Sequence, residues 1–301
     1  MKLVKIACGL AATAMFMWAC EKPILDEEAE EPAKEQTGKD KGNVVLRVAD
    51  FTMVPYDARA TRAVQNISDY CTRLCFVVYK DDKKVKGITQ AKTDDNYGEV
   101  SMALDPGEYK LLVLAHNSQN ENPVLSNPES IQFTNAIGYT DTFYYYGDLT
   151  VTSQPQTHDL ALTRASSKLN FIIIDEIPSN VAYLKFYYTG GSGVLNATTG
   201  FGGMVNSQQE ALWNISGVQV PVTLPIYTFL QDETGKLQLT VTALAADKET
   251  VVAERKFADV PMKRNMVTVY EGSFFDHTSN NTFTMTAETG WDEYQKETYA
   301  F

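Results

Sequence analysis

Val44-Val45-Leu46-Arg47-Val48-Ala49-Asp50-Phe51-Thr52-Met53-Val54 is a run of apolar residues and threonine interrupted only by Arg47 and Asp50. Residues of this kind suit a pleated, half-buried surface, so the run predicts a β-strand. Upstream stand Cys20 and an acidic stretch that ends near Gly42. Downstream follows Tyr56-Asp57-Ala58-Arg59-Ala60-Thr61-Arg62. A small-residue segment bearing arginines between two strands is exposed and open to proteolysis, which makes Arg59 and Arg62 candidate processing sites. The alternative is an uncleaved loop carrying two solvated charges.

Working outward, period-2 runs separated by Gly, Pro, Asn and Asp dominate the remaining chain, and no segment sustains a helical period over three turns. A first series of strands is expected at 74–80, 85–89, 99–104, 109–116, 142–151 and 159–163. Asp81-Asp82 and Asp105-Pro106-Gly107 are turn signals between them. Residues 109–115 are apolar on both faces apart from Lys110, as in a central strand. The polar interval 117–139 reads as a long loop with at most a short helix. A second series is expected at 168–174, 183–189, 218–230, 236–246, 250–257, 266–275 and 282–286. Asp247-Lys248-Glu249 is a hairpin turn, and the glycine-rich stretch from Gly190 to Gly203 reads as a mobile loop. Two strand series without helical blocks predict an all-β chain of two stacked β-sandwiches, with the boundary near Thr163-Arg164-Ala165-Ser166-Ser167. No internal repeat of fixed short period is visible.

Before the first strand, Lys2 and Lys5 precede the apolar run 6–18 and the small residue Ala19. This is the pattern of a secretory signal over 1–19. As a helix the run would rise about 20 Å, too short for a hydrocarbon core of about 30 Å. Cys20 directly after the run, with Ala19 before it, resembles the bacterial lipoprotein lipobox and makes Cys20 the candidate lipidation site. Glu21-Lys22 and Asp26-Glu27-Glu28 resemble the acidic signal that sends lipoproteins of some bacteria to the outer face. The segment 20–43 is rich in acidic residues, with little apolar beyond Ile24 and Leu25, and reads as a disordered leash.

The formal charge of the 301-residue chain is -12. Loss of Lys2 and Lys5 with the leader makes it more negative still. That balance argues against nucleic acid, whose phosphates need a basic face, and against electrostatic binding to anionic lipid. Of the four cysteines only Cys71 and Cys75 belong to the folded part, so this is no disulfide scaffold. On one strand their Cα atoms would stand roughly 13 Å apart, beyond disulfide reach. They read as two buried free thiols, or as a disulfide across a local turn.

Catalytic patterns are weak. His116, His158 and His277 are far apart, lack metal-type neighbours and read as solvated or edge residues. Ser192 sits among glycines without a nucleophile-elbow spacing. Thr93-Asp94-Asp95-Asn96-Tyr97-Gly98-Glu99 lacks the alternation of a calcium loop and reads as a polar turn. No cofactor is expected. Phe143-Tyr144-Tyr145-Tyr146 places aromatics on both faces of a strand, half for core and half free to stack on sugar rings, as Trp213 and Trp291 also could. The acceptor triplets at Asn66, Asn196, Asn214 and Asn280 carry little meaning behind a bacterial leader.

Taken in order, five stretches resemble the fimbrillin superfamily of Bacteroidia-type (type V) pili. They are Cys20 with its lipobox, the 44–54 strand with Ala58-Arg59-Ala60-Thr61-Arg62, Leu104-Asp105-Pro106-Gly107-Glu108-Tyr109-Lys110-Leu111, Leu162-Thr163-Arg164-Ala165-Ser166-Ser167-Lys168-Leu169, and Val260-Pro261-Met262-Lys263-Arg264-Asn265-Met266-Val267-Thr268-Val269-Tyr270-Glu271-Gly272. The inter-domain segment and the Arg264-Asn265 strand look most like the minor, anchor-type branch. The resemblance implies two tandem transthyretin-like β-sandwich domains, 44–163 and 164–301. It implies a lipid-anchored fimbrial subunit at the outer membrane, partnered by other subunits through β-strand donation and supporting adhesion. In polymerising members a cut at the position of Arg59 or Arg62 would release 44–54, and a terminal piece such as 294–301 would serve as donor. An anchor-type member would keep its first strand and its lipid. The competing reading is a surface lipoprotein that binds glycan through Tyr144 and Tyr145.

Overall fold

The computed structural model describes residues 42–52, 66–118, 121–203, 207–276, 284–288 and 297–299. The leader, Cys20, the leash, Arg59 and Arg62 lie outside the described residues, as do Met53 and Val54. Among the described residues the chain is all-β, apart from a 3-10 turn at Ile67–Asp69.

The first series comprises β1 (Val44–Thr52), β2 (Arg73–Lys80), β3 (Lys83–Ala91), β4 (Glu99–Met102), β5 (Gly107–His116), β6 (Ile131–Gln132), β7 (Phe143–Val151) and β8 (Gln156–Arg164). The second comprises β9 (Ser166–Ile173), β10 (Tyr183–Thr189), β11 (Val194–Asn196), β12 (Phe201–Gly202), β13 (Gln209–Asn214), β14 (Val222–Phe229), β15 (Thr234–Leu244), β16 (Val251–Lys263), β17 (Val267–Gly272), β18 (Thr284–Glu288) and β19 (Glu297–Tyr299). Asp81 and Asp82 both take the left-handed conformation that a two-residue hairpin needs, with φ of 51° and 61°.

Sheet order reveals a repeat that the sequence hides. The first set forms one sheet ordered β3-β2-β5-β7-β8-β1-β4. The second forms β13-β10-β15-β16 and β14-β9-β17-β18-β19. Without β6, β11, β12, β18 and β19 the two sets correspond strand for strand. In each, the first strand lies parallel to the last and antiparallel to the fourth: β1 with β8 and β4, β9 with β17 and β14. The sets differ in that β7 also pairs with β8, through Phe143 with Arg164 and Tyr144 with Thr163.

Three apolar cores follow from this arrangement. Val44, Leu46, Leu74, Phe76, Val113 and Leu162 belong to the core of the first set. Phe171, Phe186, Val241, Tyr270 and Phe274 belong to that of the second. The third lies on the opposite face of β2 and β5, where Cys75, Val77, Tyr79, Leu112 and Leu114 meet Ile131, Phe133, Ala165, Leu195 and Phe229. This explains the two-faced apolar character of residues 109–115: β5 is covered on both sides. Each large aliphatic side chain so buried contributes about 1.5–3 kcal/mol relative to exposure.

The third core also corrects two expectations. The 117–139 interval carries β6, which pairs with β11, and β11 pairs with β12 inside the glycine-rich stretch. That stretch is a packed hairpin rather than a mobile loop: Val194 and Leu195 are buried. Its glycines allow close approach, since a methyl group at Gly191 would overlap the Thr228 side chain and one at Gly202 would crowd Ser192.

Candidate assembly interface

β1 sits inside its sheet, not at an edge. It runs parallel to β8 from Val44 opposite Gln156 to Thr52 opposite Thr163, with a register shift between Val48 and Asp50. On its other side Val44 to Arg47 pair antiparallel with Met102 to Glu99. Alternation divides the strand: Val44 and Leu46 are wholly buried and Val48 packs beside them, while Arg47 points outward. Arg47 bridges three strands, with Nε 2.9 Å from Glu99 and Nη1 3.5 Å from Asp159. The entry to β1 is clamped. The Asn43 side-chain amide donates to the Leu104 carbonyl at 2.9 Å, and its Oδ1 accepts from the Leu104 amide at 2.9 Å.

β4 has β1 as its only strand neighbour among the described residues. Side chains from β3 hold its two ends. Gln90 Nε2 donates to the carbonyls of Asn96 (2.8 Å) and Glu99 (2.9 Å), its Oε1 accepts from the Gly98 amide (3.0 Å), and Lys86 Nζ donates to the Ala103 carbonyl (3.1 Å). Departure of β1 would leave β4 without backbone pairing and would open a slot beside Val100, Met102, Leu160 and Leu162. At the other end of the chain, β18 and β19 extend the free edge of β17, with Met285 opposite Tyr299. Part of the 294–301 piece is thus paired with its own sheet.

Elsewhere the structure places the other singled-out residues as follows. His116 is fully buried, a correction to the solvated reading: β5 carries it between two packed layers. Its Nδ1 accepts from the Ser118 amide at 3.2 Å, and its Nε2 lies 3.9 Å from Cys75 Sγ. Cys75 also lies 3.6 Å from Asn122 Oδ1. This Cys-His-Asn trio is chemically quiet. Burial, with help from Arg73, lowers the imidazole to about 4, and burial raises the thiol to about 11. Both therefore stay neutral at pH 7 and form no thiolate–imidazolium pair. Cys71 is likewise a buried free thiol, but it faces the first core while Cys75 faces the third.

His158 is half-buried on β8, and His277 and Trp291 lie outside the described residues. Tyr144 and Tyr146 rest on the third core and Tyr145 on the first, while Trp213 packs against the second, so these rings are occupied by packing. Three of the four acceptor triplets are local turns, and Asn280 lies outside the described residues. Asn66, Asn196 and Asn214 each accept, through Oδ1, the amide of the residue two places on, at 3.0–3.1 Å. In the turn after β3, Asp94 Oδ2 accepts the Ala91 amide at 2.9 Å and the Tyr97 hydroxyl donates to the Cys71 carbonyl at 2.8 Å, as a structural turn requires.

Sequence reasoning missed the chemistry of the junction between the sets. β8 passes to β9 through Ala165 alone, and Arg164 beside it is 2% exposed. Its guanidinium grips Asp141, with Nε to Oδ1 at 2.9 Å and Nη2 to Oδ2 at 3.1 Å. Nη1 donates to Asn265 Oδ1 at 3.1 Å. The pattern Arg164-Ala165-Ser166-Ser167 gave a boundary but no sign of burial.

An all-β chain with a twice-used seven-strand order, whose first strand is held between two others, defines a class of tandem β-sheet protein. Residues 39–300 match the profile of the Family of unknown function (DUF6562), and the chain belongs to that family. Comparison with curated proteins returns no match. Among solved structures, the chain is similar to an adhesin candidate from Bacteroides ovatus ATCC 8483 (17% identity, 71% of this chain and 81% of that chain, TM-score 0.44). It is also similar to a fimbrial assembly protein from Parabacteroides distasonis ATCC 8503 (11% identity, 85% and 96%, TM-score 0.38). A third is the tip fimbrial protein Mfa3 from Porphyromonas gingivalis with C-terminal truncation (13% identity, 82% and 99%, TM-score 0.37).

Proposed function

We propose that this chain is a structural, non-enzymatic subunit of cell-surface fimbriae, of anchor or accessory type, joined to its neighbours by β-strand exchange. Its organisation is two tandem transthyretin-like sandwiches, 44–163 and 164–301, behind a leader and an acidic leash. The repeated strand order supports that division. Cys20 carries the lipid that holds the chain at the outer membrane, and Arg59 or Arg62 is the place for processing. The observation that carries the reading is the seat of β1. It fills a slot between β8 and β4 with Val44 and Leu46 buried, and it is the first strand of the described residues. A strand held by main-chain pairing and alternate apolar side chains is one that another strand can replace.

Mass spectrometry of the mature N-terminus, with fractionation of cells and fibres, tests this. An acylated Cys20 in a fibre-associated fraction is the anchor outcome. A start at Ala60 or Ala63 is the polymerising outcome. Absence of the chain from every fibre fraction refutes the assignment.

A further inference from the structure

The two strand sets share an apolar core, and apolar contact by itself is non-directional: it holds two bodies together without fixing the angle between them. The junction supplies direction. Asp141 and Phe143 belong to the first set, Arg164 ends β8, Ser166 begins β9, and Asn265 sits in the turn from β16 to β17. Asp141, Phe143 and Asn265 converge on the Arg164 guanidinium, and Ser166 joins them through Asp141. Asp141 accepts two hydrogen bonds from Arg164 and a third from Ser166 Oγ at 3.0 Å. Ser166 Oγ in turn accepts the Thr142 amide at 3.1 Å, and the Arg164 guanidinium lies 4.6 Å from the centroid of the Phe143 ring. The remaining donor edge reaches Asn265 across the boundary. Asn265 holds φ at 55°, so the turn aims its side chain from a left-handed backbone that asparagine tolerates.

We infer that Arg164 is a positioning residue that locks the two strand sets at one angle, making them a single cooperative body rather than two beads on a string. With Asp141 holding the fork's direction inside the first set, any rotation of the second set breaks the charge-assisted bond to Asn265 and the bond from Ser166 to Asp141. The inference stands independently of strand exchange.

The test uses the folded chain with spin labels at Lys83→Cys and Lys256→Cys, one on each set. The parent is expected to give one narrow distance population and one calorimetric unfolding transition. Arg164→Met, which keeps the apolar stem and removes the fork, is expected to broaden the distances and split the transition in two. Asn265→Gly keeps the left-handed backbone and removes the side-chain amide that meets Arg164, so it should broaden the distances while leaving each set's own unfolding unchanged. If Arg164→Met does not fold, Asn265→Gly decides by the distance measurement. A narrow, unshifted distance in Asn265→Gly, or in a folded Arg164→Met with one transition, overturns the inference.

Discussion

His116 shows how one residue's environment escapes a one-dimensional reading. A lone histidine at the end of an apolar strand looks like an edge residue, yet β5 is covered on both faces and the ring is buried with it. Its pKa falls from an ordinary 6.5 to about 4, first because burial disfavours the cation and then because Arg73 repels it. A folded pKa below the unfolded one means that the contribution is fully present above about pH 6.5 and is lost as pH falls towards 4. The gap corresponds to roughly 3–4 kcal/mol at most. Thermal melts from pH 7 to pH 4.5 should therefore fall more steeply for the parent than for His116→Gln, which keeps an acceptor for the Ser118 amide and does not titrate. Parallel curves would mean that His116 is not the acid-sensitive group. Arg164 teaches the same lesson from the opposite direction. Nothing beside Arg164 in the sequence signals burial, and only a partner 23 residues earlier, Asp141, makes it intelligible.

Elements were more legible than residues, because strand periodicity is local and the partners of a side chain are not. The apolar run that opens at Val44 appears as β1 over Val44–Thr52, with Met53 and Val54 outside the described residues, and the Asp81-Asp82 turn as a tight hairpin. What failed were short strands whose only reason to exist is a distant partner: β6, β11 and β12 hold no periodic signal, and they form because the third core needs a lid. The glycines there mark contact, not mobility. Gly191→Ala should thus cost about 1–3 kcal/mol by driving Thr228 from its hydrogen bonds to Gln209 and the Ser192 amide. A free loop would tolerate the same change, so a melting temperature equal to the parent's would restore the loop reading. β1 offers a paired contrast on adjacent residues. Leu46→Ala empties a wholly buried position and should cost about 2–5 kcal/mol in denaturant melts. Arg47→Ala, although it breaks contacts to Glu99 and Asp159, removes pairs that water already screens and should leave the melt nearly unchanged. Equal effects would show that β1 does not face the core with alternate residues.

For the whole molecule, the repeated strand order makes a prediction that neither half makes alone. β1 and β9 are counterparts, each lying between a parallel and an antiparallel neighbour. They differ in covalent context, since β9 follows β8 through one residue whereas β1 is joined to β2 by the arginine-bearing stretch around Arg59 and Arg62. Cleavage there cuts one peptide connection and leaves the pairings of Val44–Thr52 with β8 and β4 in place, so the nicked chain should still elute as one species, with the β1 fragment retained by two ladders and a buried apolar face. Its retention becomes bimolecular, however, and the nicked chain should lose the fragment on dilution into denaturant at concentrations that leave the intact chain folded. A synthetic peptide of the 42–54 sequence, added in excess and labelled, should then exchange into the nicked protein and not into the intact one. Gel filtration with mass spectrometry reads both outcomes. Immediate loss of the fragment on nicking, or uptake of peptide by the uncut chain, would mean that β1 is held by its covalent tether rather than by the slot between β8 and β4.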